Sequence, residues 1–146
     1  MSQAELPIGV FDSGVGGLTV VRAIRALMPD EDLLYLGDTA RVPYGTRSPE
    51  TVERYAQRVA GHLTRRGIKA LVVACNTATT YALEGLVREG ARRGIPVIGV
   101  ITPGVQAAIA TGPRHVGVIG TEGTIAGGEY ARQLAEIAPE MTVSSV

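Results

Sequence analysis

The sequence predicts an α/β fold: a doubly wound parallel sheet with flanking helices. Three observations predict it. Runs of Val, Ile, Leu and Ala recur along the chain without polar residues alternating through them, as in strands buried on both faces. Between them stand longer segments whose apolar positions repeat every three to four residues, the period of an amphipathic helix. Glycine, at 19 of 146 residues, is about twice its average share, and with no low-complexity run to hold it the excess belongs in turns.

Residues 7–11 read as a first strand, followed by a glycine-rich turn and a helix over 18–27. Residues 33–36 form a second strand. A long polar loop follows, and a helix opens at Ser48-Pro49-Glu50. Ser48 is its candidate N-cap, Pro49 suits the first helical position, and Glu50 faces the positive end of the helix dipole. Val52, Tyr55, Ala56, Val59 and Leu63 recur at helical spacing, and Gly67 stops the helix. Residues 69–74 make the third and most continuously apolar strand. Residues 77–93 make a helix ended by Gly94, and residues 96–101 a fourth strand. Thr102-Pro103 begins a short helix, 115–119 is a fifth strand, and a helix over 124–138 leads into a sixth strand at 141–146. Right-handed crossovers between the strands are assumed. A first domain is expected over 1–101 and the beginning of a second over 102–146, with the seam near Thr102-Pro103-Gly104. No closing helix follows the last strand, so the sequence reads as cut short.

Fourteen Lys and Arg balance fourteen Asp and Glu, and no basic tract of five residues occurs. That argues against nucleic acid or an anionic membrane as the main partner. A single cysteine, Cys75, excludes an internal disulfide and any multi-cysteine zinc or iron–sulfur site, and two histidines add no metal constellation. The stretch from Met1 to Leu6 has no basic or apolar character of a secretory signal, and no apolar run approaches the ~20 residues of a membrane helix. A soluble, cytoplasmic protein is the expectation.

Ligands of open parallel sheets bind at the carboxyl ends of the strands. Three such ends are polar here. The first, Phe11-Asp12-Ser13-Gly14-Val15-Gly16-Gly17, has glycines that let backbone approach a ligand and leave N–H groups free for an anion. Its glycine spacing is not that of a dinucleotide site. Asp12 would repel a phosphate and suits a ligand that carries a cation beside its anion, such as an amino acid; as a bland alternative, Asp12 or Ser13 merely caps the helix. The second, Gly37 to Thr46, is longer than an ordinary βα connection; its bland reading is a surface loop with Tyr44 packing its own turn. The third is Ala74-Cys75-Asn76-Thr77-Ala78-Thr79-Thr80. A thiol where a buried strand meets a helix N-terminus stands in an activating environment, whereas a lone cysteine after an apolar strand is more often inert packing. The Asn and three Thr that follow Cys75 tilt the balance, since they are costly to bury without partners.

Several cysteine chemistries do not fit. A redox pair needs a second cysteine, and a phosphatase loop needs an arginine that Thr80-Tyr81-Ala82 does not supply. A Cys–His hydrolase needs an imidazole in reach; His62 falls mid-helix and His115 starts a strand at the wrong end of the sheet. A thiolate acting as a base remains. Abstracting a proton α to a carboxylate requires such a base and donors for the developing charge. Asp12 could then bind an ammonium, and groups around Ser13, Tyr44-Gly45 and Asn76-Thr77 carboxylates. No cofactor motif is visible.

These residues resemble the glutamate racemases of the aspartate/glutamate racemase family. Asp12-Ser13-Gly14-Val15-Gly16-Gly17 is similar to the family's opening motif, Pro43-Tyr44-Gly45 to its substrate loop, Cys75-Asn76-Thr77 to its first catalytic motif, and Gly120-Thr121-Glu122-Gly123-Thr124 to a later one. The resemblance covers Pro7 to Val146 and implies cofactor-independent interconversion of L- and D-glutamate, which provides D-glutamate for peptidoglycan. By it, Cys75 is the thiol that deprotonates D-glutamate, Asp12 and Ser13 hold the substrate and tune the thiol, and Tyr44, Gly45, Asn76, Thr77 and Thr121 bind its carboxylates and ammonium. The family uses two cysteines, the second in a Cys-Thr-His motif, and its second half includes helices that return to the first domain. Neither is present here. The chain is therefore expected to be inactive alone, as the N-terminal part of a racemase. The competing readings are a non-catalytic amino-acid-binding or pseudoenzyme domain, and an aspartate racemase-like enzyme; a homodimer stays open.

Overall fold

All five residues of the strand Ile8–Asp12 (β1) are buried, which makes β1 the centre from which a sheet grows on both sides. In the computed structural model, which describes residues 3–112 and 114–146, β1 pairs in parallel with Leu33–Gly37 (β2) on one side and Ala70–Val73 (β3) on the other. Met1 and Ser2, the start of the N-terminal stretch read above, lie outside the described residues. Val97–Gly99 (β4) extends β3, giving the order β2-β1-β3-β4.

Side chains alternate across the sheet, and the helices cover both faces. Val10 and Ile8 meet Val20, Val21 and Ile24 of Leu18–Leu27 (α1). Phe11 and Val73 point the other way, into a core shared with Val52, Ala56, Val59 and Leu63 of Pro49–Arg65 (α2) and Ala78, Ala82 and Leu86 of Asn76–Arg92 (α3). Burial of each large side chain in that core contributes about 1.5–3 kcal/mol. The start of α2 is the one its sequence predicts: Ser48 Oγ accepts from the Thr51 N–H at 3.3 Å with Pro49 at the first position. The doubly wound expectation therefore holds.

A second, two-stranded parallel sheet pairs His115–Val118 (β5) with Thr142–Ser145 (β6). Its core is Ile101 and Val105 of Ile101–Ala110 (α4), with Leu134, against which Val116, Tyr130 and Val143 pack. The single helix expected over 124–138 is two, Glu122–Gly127 (α5) and Glu129–Ile137 (α6). Gly128 breaks it at φ 64°, a left-handed conformation that glycine adopts without penalty. Thr121 starts α5 two residues ahead of the expected helix, its Oγ1 accepting from the Thr124 N–H. The fourth strand is shorter than expected because α4 already begins at Ile101. Among the described residues no helix is long and apolar enough to cross a membrane.

Candidate active site

The strand order places the site. From β1 the chain winds to β2 on one side, and from β3 to β4 on the other, so the carboxyl ends of β1 and β3 flank the point where the winding reverses. Crevices of doubly wound sheets open there. β1 ends at Asp12 and β3 leads into Cys75, 63 residues later in sequence yet adjacent in space through the Phe11–Val73 pairing.

Asp12 is buried, and its Oδ2 accepts from the Gly14 N–H at 3.1 Å and the Gly17 N–H at 3.0 Å. The carboxylate thus folds the glycine loop around itself, the structural role weighed against a ligand role in the sequence. Tyr35 of β2 braces the same loop by donating to the Gly14 carbonyl at 2.9 Å. Burial, reinforced by the Asp12 charge, raises the pKa of the Tyr35 hydroxyl and keeps it a donor.

Cys75 is the N-cap of α3. Its Sγ accepts from the Ala78 N–H at 3.4 Å and donates to Ser13 Oγ at 3.3 Å. The thiol therefore bridges the first and third polar strand ends and is not sealed among aliphatic groups. Thr79 fastens this corner by donating to the carbonyls of Val73, at 3.2 Å, and Cys75, at 2.8 Å. Thr77 Oγ1 lies 2.8 Å from Thr121 Oγ1 and 3.1 Å from Thr124 Oγ1, and the last two are 3.0 Å apart. This triangle of hydroxyls joins α3 to α5 and satisfies the buried Thr77.

In the long loop, Tyr44 turns inward. Its ring is fully buried, stacked at a tilt against Phe11 and Tyr55, and its hydroxyl donates to Asp38 Oδ2 at 2.6 Å. Burial and then the Asp38 bond push its pKa far above the tyrosine range. The side chain of Tyr44 therefore anchors its own loop. Arg41 completes the anchor, 2.7 Å from Asp38 and lying over the Tyr55 ring. Gly45 touches α5: its carbonyl accepts from the Gly123 N–H at 2.8 Å, and a Cβ there would fall 2.3 Å from Thr121 Cβ.

All of these ends open into one cleft of about 850 Å³, lined by every residue singled out in the sequence: Asp12, Ser13, Tyr44, Gly45, Cys75, Asn76, Thr77 and Thr121. Sequence reasoning missed Thr124 and Tyr130, which also line it. Thr124 sat in a noted motif, but its contact with Thr77 was invisible without the fold. Tyr130 was hidden in a helix read as continuous. A second concavity of about 660 Å³ between α2 and α3 has no cysteine or histidine in its lining, and its Arg88, Arg92 and Arg93 are paired with Glu84 and Glu89. His115 lies at the start of β5, bonded to Ser144, and takes no part in the cleft.

Residues 18–146 match the family model described as Asp/Glu/Hydantoin racemase. Over 137 residues the chain is 57% identical to a glutamate racemase of Geobacter metallireducens, covering 93% of this chain and 50% of that protein. Among solved structures, the glutamate racemase of Francisella tularensis in complex with D-glutamate superposes with a TM-score of 0.87 at 42% identity, over 97% of this chain and 52% of that one. The glutamate racemase of Aquifex pyrophilus gives a TM-score of 0.88 at 49% identity, over 96% of this chain and 55% of that one. The chain spans about half the length of the curated relatives it matches. With the thiol, the glycine loop and the hydroxyl triangle at one sheet end and a family match across most of its length, this chain belongs to the Asp/Glu/hydantoin racemase family of isomerases.

Proposed function

We propose that this chain carries the half of a glutamate racemase site that removes the α-proton of D-glutamate, within a cytoplasmic enzyme supplying D-glutamate for peptidoglycan. The observation that carries the reading is the Cys75 thiol, 3.3 Å from Ser13 Oγ in a cleft whose lining joins the hydroxyls of Thr77, Thr121 and Thr124 and the Asn76 amide to aliphatic walls such as Val105, Val116 and Leu134. In this reading Asp12 attracts the ammonium. Backbone N–H groups at Tyr44-Gly45, with Asn76, Thr77 and Thr121, receive the carboxylates. The Cys75 thiolate takes the proton from Cα, becoming a thiol, and the electron pair left behind spreads into the adjacent carboxylate, where N–H and O–H donors lower its energy. The Francisella relative, solved with D-glutamate, supports the choice of ligand.

A racemisation needs a second acid on the opposite face of Cα, and Cys75 is the chain's only cysteine. That observation favours a second reading, a domain that binds an amino acid without turning it over. One experiment separates them. The chain is incubated with D-glutamate in heavy water, and proton NMR follows the α-hydrogen while circular dichroism follows the handedness. The expected outcome is loss of the α-proton signal with D configuration retained, since one thiol takes and returns hydrogen on one face, and no exchange in Cys75→Ala. Binding without exchange supports the non-catalytic reading. No binding overturns both.

A further inference from the structure

Among the described residues, the cleft holds an amide that is satisfied at one end only. Asn76, the first residue of α3, is exposed to the cleft, and its Oδ1 accepts from the Tyr130 hydroxyl at 2.8 Å. Its Nδ2 donates to no described residue. Tyr130 comes from α6, 54 residues later. Its ring is fixed from two sides: it packs on the Ile101–Val105–Leu134 core, and it fills the slot left by Gly104 of α4, where a Cβ would lie 3.2 Å from the Tyr130 hydroxyl oxygen. The hydroxyl is therefore presented to Asn76 by a packed scaffold and not by a mobile side chain.

An amide has two ends of opposite polarity and nearly equal shape. Left to itself, Asn76 would offer a ligand carboxylate either a donor or an acceptor, and the acceptor repels. A phenol donates more readily than it accepts, so the bond from the Tyr130 hydroxyl to Oδ1 favours the orientation with the N–H end outward. We propose that Tyr130 is a positioning residue, which holds the Asn76 amide with its N–H end toward the cleft as a ready-made carboxylate donor. This deepens the reading of the cleft as a D-glutamate site and rests on it for the identity of the ligand, while the orientation of the amide stands independently.

The test uses the full chain in two arms. In the first, without ligand, the side-chain amide resonances of Asn76 are assigned by nitrogen-15 NMR in the wild type and in Tyr130→Phe, which keeps the ring and loses only the hydroxyl. The expected result is a well-separated amide pair in the wild type that collapses toward free-asparagine positions in Tyr130→Phe. Tyr81→Phe, a hydroxyl removed elsewhere on α3, leaves the pair unmoved. An unchanged pair in Tyr130→Phe overturns the proposal. In the second arm, D-glutamate is titrated into wild type, Tyr130→Phe, Asn76→Ala and the double variant. Loss of one oriented hydrogen bond weakens binding about three- to tenfold in Tyr130→Phe. The same change has no further effect in the Asn76→Ala background, a non-additivity that a general loosening of α6 would not produce. Equal losses in both backgrounds overturn the proposal. Failure of the wild type to bind D-glutamate overturns the ligand assignment instead, and the first arm then decides the orientation alone.

Discussion

Tyr44→Phe removes one oxygen atom and leaves the surrounding packing in place. The ring keeps its tilted contacts with Phe11, centroids 6.3 Å apart, and Tyr55, 5.6 Å apart, so no cavity opens. What disappears is the donor to Asp38, a buried carboxylate that then retains only Arg41 among the partners described above. A hydrogen bond to a charged acceptor contributes about 1.5–3 kcal/mol, and stripping it from a buried acceptor costs at the upper end. For a chain of this size that corresponds to a fall in Tm of roughly 5–9 °C. The pH dependence gives a second, independent reading. The Tyr44 pKa is raised in the folded state, so the unfolded chain ionises first, near pH 10. Above that pH the folded state binds the extra proton and stability falls as pH rises, by up to about 1.4 kcal/mol per unit for this one group. The phenylalanine variant has no such group, so the stability gap between wild type and variant should narrow above about pH 10. Urea unfolding followed by circular dichroism at neutral and alkaline pH measures both. A variant as stable as the wild type at neutral pH, or a gap that widens in alkali, would refute the inward anchoring of the loop.

Two further substitutions test other joints of the site. Gly45→Ala places a methyl 2.3 Å from Thr121 Cβ, so loop and α5 must part; we expect a loss of about 1–3 kcal/mol in urea unfolding together with weakened D-glutamate binding, and wild-type values for both would show that the contact is not needed. Leu63→Ala, in the core under α2 and outside the lining of the cleft, should cost about 2–5 kcal/mol while leaving the ligand affinity of the remaining folded protein unchanged; a comparable loss of affinity at full folding would mean that the core and the cleft are coupled.

The first sheet was legible because each of its elements carries a local signal. The Ser48-Pro49 start of α2 and the unbroken apolar run before Cys75 need no knowledge of the rest of the chain. Convergence of Asp12 and Cys75 was legible too, since parallel strands bring all their carboxyl ends to one edge. Gly128 was misjudged for a local reason: a glycine inside a helical pattern is usually tolerated, and only its left-handed φ shows that the pattern restarts there. The inward turn of Tyr44, the Thr77–Thr121–Thr124 triangle and the Tyr130–Asn76 bond were illegible for a different reason. Each joins elements that are not neighbours in any repeating pattern, so periodicity contains no trace of them. Residue types told where polarity gathers, and only the packing told which polar groups are already satisfied.

That distinction bears on how the cleft would suit the ligand proposed above, a dicarboxylate with a single ammonium. Asp12, the acid of the glycine loop, already accepts from Gly14 and Gly17, which leaves it tethered at the wall of the cleft. The α1 and α3 helices begin at that wall, at Leu18 and Asn76, each with the equivalent of roughly half a positive charge at its N-terminus. A ligand with two negative groups and one positive group matches this arrangement better than a neutral or purely cationic one. The same field acts on Cys75 as the cap of α3. In the function proposed above, the negative charge that develops as Cα gives up its proton lies near the same helix terminus, beside the sulfur that takes the proton. The proton transfer proposed for this site would then draw on dipoles already in place, the preorganisation that catalysis of this kind relies on.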